Sequence, residues 1–151
     1  MKNLRFGFSL FGLIIVALQA LPNIIWALAA PEINALEGNA SSIPFIEYGE
    51  HILGVAIVVL LLFLVDKTQE KKIPQCWLTI VSFAAIALYW LCWVLYYCAI
   101  QQLPVIYAMV ILPPAAFFCA GTAQKVYPVS SASVLFLMFH LAVAMENFPV
   151  F

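Results

Sequence analysis

Three ionisable residues stand where an apolar run begins. Glu47, Glu50 and His51 are spaced by three and four residues, and no charge follows between Ile52 and Val65. That spacing puts all three on one face of a helix. In a membrane such groups cost on the order of 2.5–3.5 kcal/mol each, so they are kept for a partner or a use. Two nearby carboxylates shift each other's protonation, and a carboxylate with an imidazole makes an acid–base pair. His140, the second of two histidines, lies in the last apolar run, with Asn147 seven residues later on the same face. Glu50 and His140 are the candidates for such a pair. Asn23 lies in the first run, one helical turn beyond Gln19. Trp90 and Trp93 share a side of the third run and supply aromatic walls for a cation or for packing.

The elements that must position these residues are membrane helices. The chain has 151 residues, of which 66% are hydrophobic and 9% charged, outside the range of soluble domains. The net charge of −1, without a basic stripe, excludes a nucleic-acid partner. The four cysteines lack metal-knuckle spacing and read as reduced packing residues. The sequence predicts an all-α, polytopic bundle of five transmembrane helices in a single domain, residues 1–151, with spans at about 6–30, 44–65, 77–100, 103–121 and 130–148. The first run is too long for the core of a signal peptide and reads as an uncleaved span, kinked by Pro22. Tyr96 and Tyr97 fall where an interfacial belt belongs. Pro113-Pro114 predicts a kinked or locally unwound fourth helix whose freed carbonyls face protein or water. Ser130 or Ser131 is expected to cap the fifth.

All six basic residues, Lys2, Arg5, Lys67, Lys71, Lys72 and Lys125, fall on alternate turns, while Glu32, Glu37, Glu47, Glu50 and Glu146 fall on the other side. The amino terminus is therefore expected inside and the carboxyl terminus outside. An odd number of spans cannot form two equal inverted halves, so one chain does not supply the usual repeat-based transporter plan. Depth follows from the rise of about 1.5 Å per residue: His51 and His140 lie roughly 9–12 Å below the outer ends of their helices, and Asn23 about 10 Å below its own. Asn23, Glu47, Glu50, His51 and His140 are thus expected around one outward-facing cavity.

Pro22-Asn23, Glu47 with Glu50, the aromatic stretch from Tyr89 to Tyr97, Pro113 with Gly121, and His140 with Asn147 form a pattern. Together they make the chain resemble a family of small, uncharacterised five-span bacterial integral membrane proteins. The resemblance implies the topology, a multi-pass location in the bacterial cytoplasmic membrane and the choice of site residues, and it carries no activity. His51 stands where that family's pattern has glutamine.

Four functions compete on these residues. One is binding or transport of a small or amphipathic ligand by Asn23, Glu47, Glu50, His51, Trp90, Trp93, His140 and Asn147. Another is an accessory membrane subunit, or homo-oligomer, whose polar residues only lock helices together. The third is an intramembrane acid–base enzyme acting on a lipid or isoprenoid, for which no nucleophile motif or phosphate loop is present. The last is a haem or metal protein using both histidines. The outer side has no basic residue to meet haem propionates, so no cofactor is expected.

Overall fold

The computed structural model describes residues 3–68 and 73–150. Lys2, Lys71 and Lys72, three of the six basic residues used to orient the chain, lie outside the described residues, as does Phe151. Five helices account for most of the rest: α1 (Leu10–Leu28), α2 (Pro44–Phe63), α3 (Trp77–Tyr97), α4 (Leu103–Ala123) and α5 (Tyr127–Asn147). Each is long and apolar enough to cross a membrane. At 19 to 21 residues they match the roughly 30 Å of a hydrocarbon core. The protein is thus an integral multi-pass membrane protein by the length and composition of its helices.

The first span begins later than residue 6. Leu4–Phe6 is a short strand, β1, paired antiparallel with β2 (Leu64–Asp66), Arg5 opposite Val65. Neither run is long enough to reveal alternation, and the pairing joins segments some sixty residues apart, which is why five helices alone were expected. The ladder continues into the helices, with Gly7 N donating to Phe63 O (3.0 Å) and Ser9 N to Leu62 O (2.9 Å). Ser9 then caps α1, its Oγ accepting from Gly12 N at 2.9 Å. A Cβ on Gly12 would lie 2.0 Å from Leu61 O, so only glycine permits α1 to cross α2 this closely.

This defines a strand end of the bundle and, opposite it, a loop end formed by residues 29–43 and 98–102. α4 packs between α3 and α5, α5 also packs on α2, and α1 closes the ring against α2, α3 and α4. The strand half of the core is built from Phe11, Ile15, Ile57, Leu61, Ile86, Phe117 and Val129. The loop half is aromatic: Tyr89, Trp93 and Tyr96 pack with Ile106 and Met109. Outward faces such as Ile52, Val55 and Val59 on α2 and Ile80, Leu88 and Leu91 on α3 are exposed and apolar, as a lipid-facing surface must be.

Three further expectations are corrected in whole or in part. α4 is continuous through Pro113 and Pro114, so the local unwinding is absent. Both prolines are buried, as are Met109 and Val110, whose carbonyls lose a helical donor, so this stretch faces protein and not lipid. α5 starts at Tyr127 with Pro128 in its first turn, and its N-cap is Val126. Ser130 is buried inside that helix instead, its hydroxyl 2.9 Å from Thr122 Oγ1. Tyr96 is fully buried, its hydroxyl donating to Asn34 Oδ1 (2.6 Å) and accepting from Leu36 N (2.9 Å). It anchors the 29–43 loop where an interfacial side chain was expected. α3 and α4 both end in paired hydrogen bonds around a left-handed residue. Ala99 (φ 62°) follows α3, with Ile100 N donating to Leu95 O at 3.0 Å. Lys125 (φ 60°) follows α4, with Val126 N donating to Gly121 O at 2.8 Å.

Candidate functional sites in the loop half

α2 and α5 bring Glu50 and His140 together. His140 Nδ1 lies 2.7 Å from Glu50 Oε1, with side-chain exposures of 24% and 16%. The imidazole stacks on Phe136, one turn earlier, at a centroid distance of 5.0 Å and an interplanar angle of 18°. The helices approach closely beside the pair. A Cβ on Gly49 would lie 2.3 Å from Phe139 Cε1, and one on Gly54 would touch Phe136 at 3.6 Å. Glycine at position 49 gives the Phe139 ring its room, whereas at position 54 a Cβ would make only ordinary contact with Phe136.

Glu47, His51 and Asn147 lie nearer the loop end. His51 Nδ1 is 2.8 Å from its own helix's Glu47 O and 3.6 Å from Glu47 Oε1, and its side chain is 70% exposed. It shares the helix of Glu50 but turns outward. Glu47 Oε2 accepts from Ser41 N (2.8 Å), and Asn147 Nδ2 donates to Ala40 O (3.0 Å). Glu146, which the helical spacing turned away from this face, accepts from Ser41 Oγ (2.7 Å) and Ser42 N (2.9 Å). Two residues of α5 and one of α2 thus hold the 40–42 segment, a clamp that the sequence did not disclose because most of its partners are backbone groups of a loop.

Asn23 belongs to a different group. Its Nδ2 donates across the α1–α3 seam to Tyr89 OH and, within α1, to Gln19 O, both at 2.9 Å. Trp90 Nε1 donates to Leu18 O (2.9 Å) in the same seam. Gln19 is only 4% exposed, and neither polar atom of its carboxamide has a hydrogen-bond partner among the described residues. The Trp93 indole N–H is likewise buried without a partner, beside Tyr89 with the rings edge to face at 6.2 Å. No hydrogen bond among the described residues joins this group to Glu50 and His140.

A groove of about 300 Å³ opens along this seam, lined by Pro22, Ile25, Trp90, Trp93, Val94, Tyr97 and Cys98. Its walls are apolar and aromatic, and Glu50 and His140, on α2 and α5, do not line it. Trp90 and Trp93 therefore face a cavity separate from the carboxylate pair.

The strand end has polar groups of its own. Gln124 Nε2 donates to Ser9 Oγ, both residues buried. Asp66 Oδ1 accepts from the Thr68 hydroxyl and from Thr68 N (2.7 Å), while Lys125 Nζ lies 3.3 Å from Thr68 Oγ1. The Thr68 hydroxyl, then the Thr68 N–H and the nearby Lys125 charge, hold the Asp66 carboxyl below its ordinary value of 3.8. Among the described residues no group of three or more His, Cys, Asp or Glu side chains is placed to hold a metal ion. Comparison with protein-family models, curated proteins and solved structures finds no match.

Proposed function

We propose that this is a small multi-pass protein of the bacterial cytoplasmic membrane that binds an amphipathic ligand in the loop half of its bundle. The observation that carries this reading is the groove between α1 and α3, with Trp90 and Trp93 in its wall. Its volume, about 300 Å³, stands at the lower end of small-molecule sites, which are mostly apolar with a few polar groups. By the positive-inside rule the loop end faces outward. Arg5, Lys67 and Lys125 are at the strand end, while Glu32, Glu37, Glu47, Glu50 and Glu146 are in the loop half. The groove then takes ligand from the outer leaflet.

The test uses the full chain in nanodiscs and a single-chain amphiphile with a bromine on its tail, which quenches tryptophan on contact. Saturable quenching that disappears when Val94→Phe fills the groove is the expected result. Quenching that rises linearly, or equally in wild type and variant, overturns the reading.

A second reading, intramembrane acid–base chemistry, is favoured by the 2.7 Å contact between His140 and Glu50. It ranks below the first because no hydroxyl or thiol is hydrogen-bonded to the pair among the described residues.

A further inference from the structure

Resting on the groove reading above, we propose that the groove's occupant is a single-chain amphiphile with a positively charged head, held at the mouth beside Glu32. Size sets the number of chains. At about 300 Å³ the groove stands at the lower end of small-molecule sites, which suits one chain better than two. A two-chain bilayer lipid is thereby disfavoured, and the proposal is for a single-chain molecule that exchanges in and out.

The sign of the head comes from charge complementarity. The groove runs along the last two turns of α3 to Cys98, so it reaches the loop end, where a head group would lie. Every formally charged residue in the loop half is a glutamate, and no lysine or arginine lies there. Glu47, Glu50 and Glu146 already have partners in Ser41, His140 and Ser42. Glu32 and Glu37 carry no ion pair among the described residues.

Glu32 is also held close to the groove. Tyr97, which lines it, donates its hydroxyl to Ala29 O at 2.9 Å. Gln101, three residues beyond Cys98, donates to Ile33 O at 2.6 Å. These two bonds fix the chain on both sides of Glu32 over the end of α3. Three aromatic residues of the groove's lining, Trp90, Trp93 and Tyr97, are of the kind whose ring faces attract a cation. An anionic head would meet the same rings and a wholly acidic loop end, and would be repelled.

The experiment compares three brominated twelve-carbon probes, an alkyltrimethylammonium, an alkyl alcohol and an alkyl sulfate, by tryptophan quenching. The full chain sits in nanodiscs of uncharged galactolipid, so that no choline head competes. The ammonium is expected to bind about tenfold more tightly than the alcohol, with the sulfate weakest. Glu32→Gln should reduce that advantage and leave the alcohol unchanged. Val94→Phe from α3, or Ile25→Phe from α1 should the first variant not fold, should abolish all three. If the probes bind alike and the filling variants abolish them, the groove stands and the positive head is overturned. If the filling variants change nothing, both proposals fall.

Discussion

His140 Nδ1 sits 2.7 Å from Glu50 Oε1, and this contact joins α5 to α2, two helices long and apolar enough to cross a membrane. α2 is the most peripheral of the five, with Ile57 and Leu61 as its only buried residues among those described. In its loop half the helix is held by the pair, by Phe139 over Gly49, by Phe136 over Gly54 and by Glu47 on Ser41. A polar contact in this position does two things at once. It fixes the rotation of α2, because only one face carries Glu50, and it removes a carboxylate from lipid.

A double-mutant cycle should reveal this coupling. Glu50→Leu and His140→Leu are each expected to cost about 1–3 kcal/mol, since each leaves one polar partner unpaired at a helix contact. The double variant should cost less than the sum, with an interaction energy of about 0.5–3 kcal/mol. Thermal unfolding in detergent provides the measurement. Additive losses would mean that the two side chains stabilise the protein independently.

Gln19 is the opposite case, a buried carboxamide with no partner among the described residues. An unpaired buried polar group costs about 1–3 kcal/mol. Gln19→Met keeps the length of the side chain and removes both polar atoms, so it is expected to raise the unfolding temperature. A fall in stability would show that Gln19 is paired in the membrane-embedded protein. In that event Asn23, whose amide already binds the Gln19 carbonyl and Tyr89, should lose stability when made leucine by a similar amount.

The spans were legible because twenty consecutive apolar residues admit few alternatives to a membrane helix. Depth was legible too: counting residues placed Glu50 and His140 at one level, and they meet there. Rotation was not. A helix that is apolar on most sides gives no sequence record of which face meets which neighbour, so Asn23 was grouped with Glu50 although it faces Tyr89 on α3. Ser9 has the local credentials of a cap, but the first run was counted from residue 6, so the serine fell inside a span and its capping of α1 was missed. Ser130 had the same local credentials and a different fate, because Pro128 had already started the helix. The β1–β2 pair and the Glu146 clamp depend on backbone partners far along the chain, which side-chain patterns do not encode.

Asp66 supplies a pH dependence. Its carboxyl is held below 3.8 by the Thr68 hydroxyl first, then by the Thr68 N–H and Lys125. A folded-state value below the unfolded one means that the contribution is fully present above the unfolded value and fades as pH falls through the folded one. Asp66→Asn should therefore destabilise the protein at neutral pH, and the gap between variant and wild type should close below about 3.8. A gap that persists in acid would assign the effect of Asp66 to the shape of the turn at residues 66–68 and not to its charge.

The orientation of the bundle decides which leaflet the groove serves. The chain leaves each helix at the end opposite to its entry, so residues 29–43 and 98–102 share one end with the carboxyl terminus. Contacts bear this out, as Glu146 reaches Ser41 and Tyr107 donates to Phe148 O at 2.9 Å. Lysine and arginine bias orientation when they lie in short loops beside the spans, and acidic residues contribute little. Arg5, Lys67 and Lys125 all sit at the strand end, two of them within four residues of a helix terminus. Reporter fusions after Lys125 should thus read cytoplasmic, and fusions after Asn39 and at the carboxyl terminus should read external. A cytoplasmic signal from the carboxyl-terminal fusion would invert the bundle. The acidic mouth beside Glu32 would then face the cytoplasm, and the groove would take its ligand from the inner leaflet.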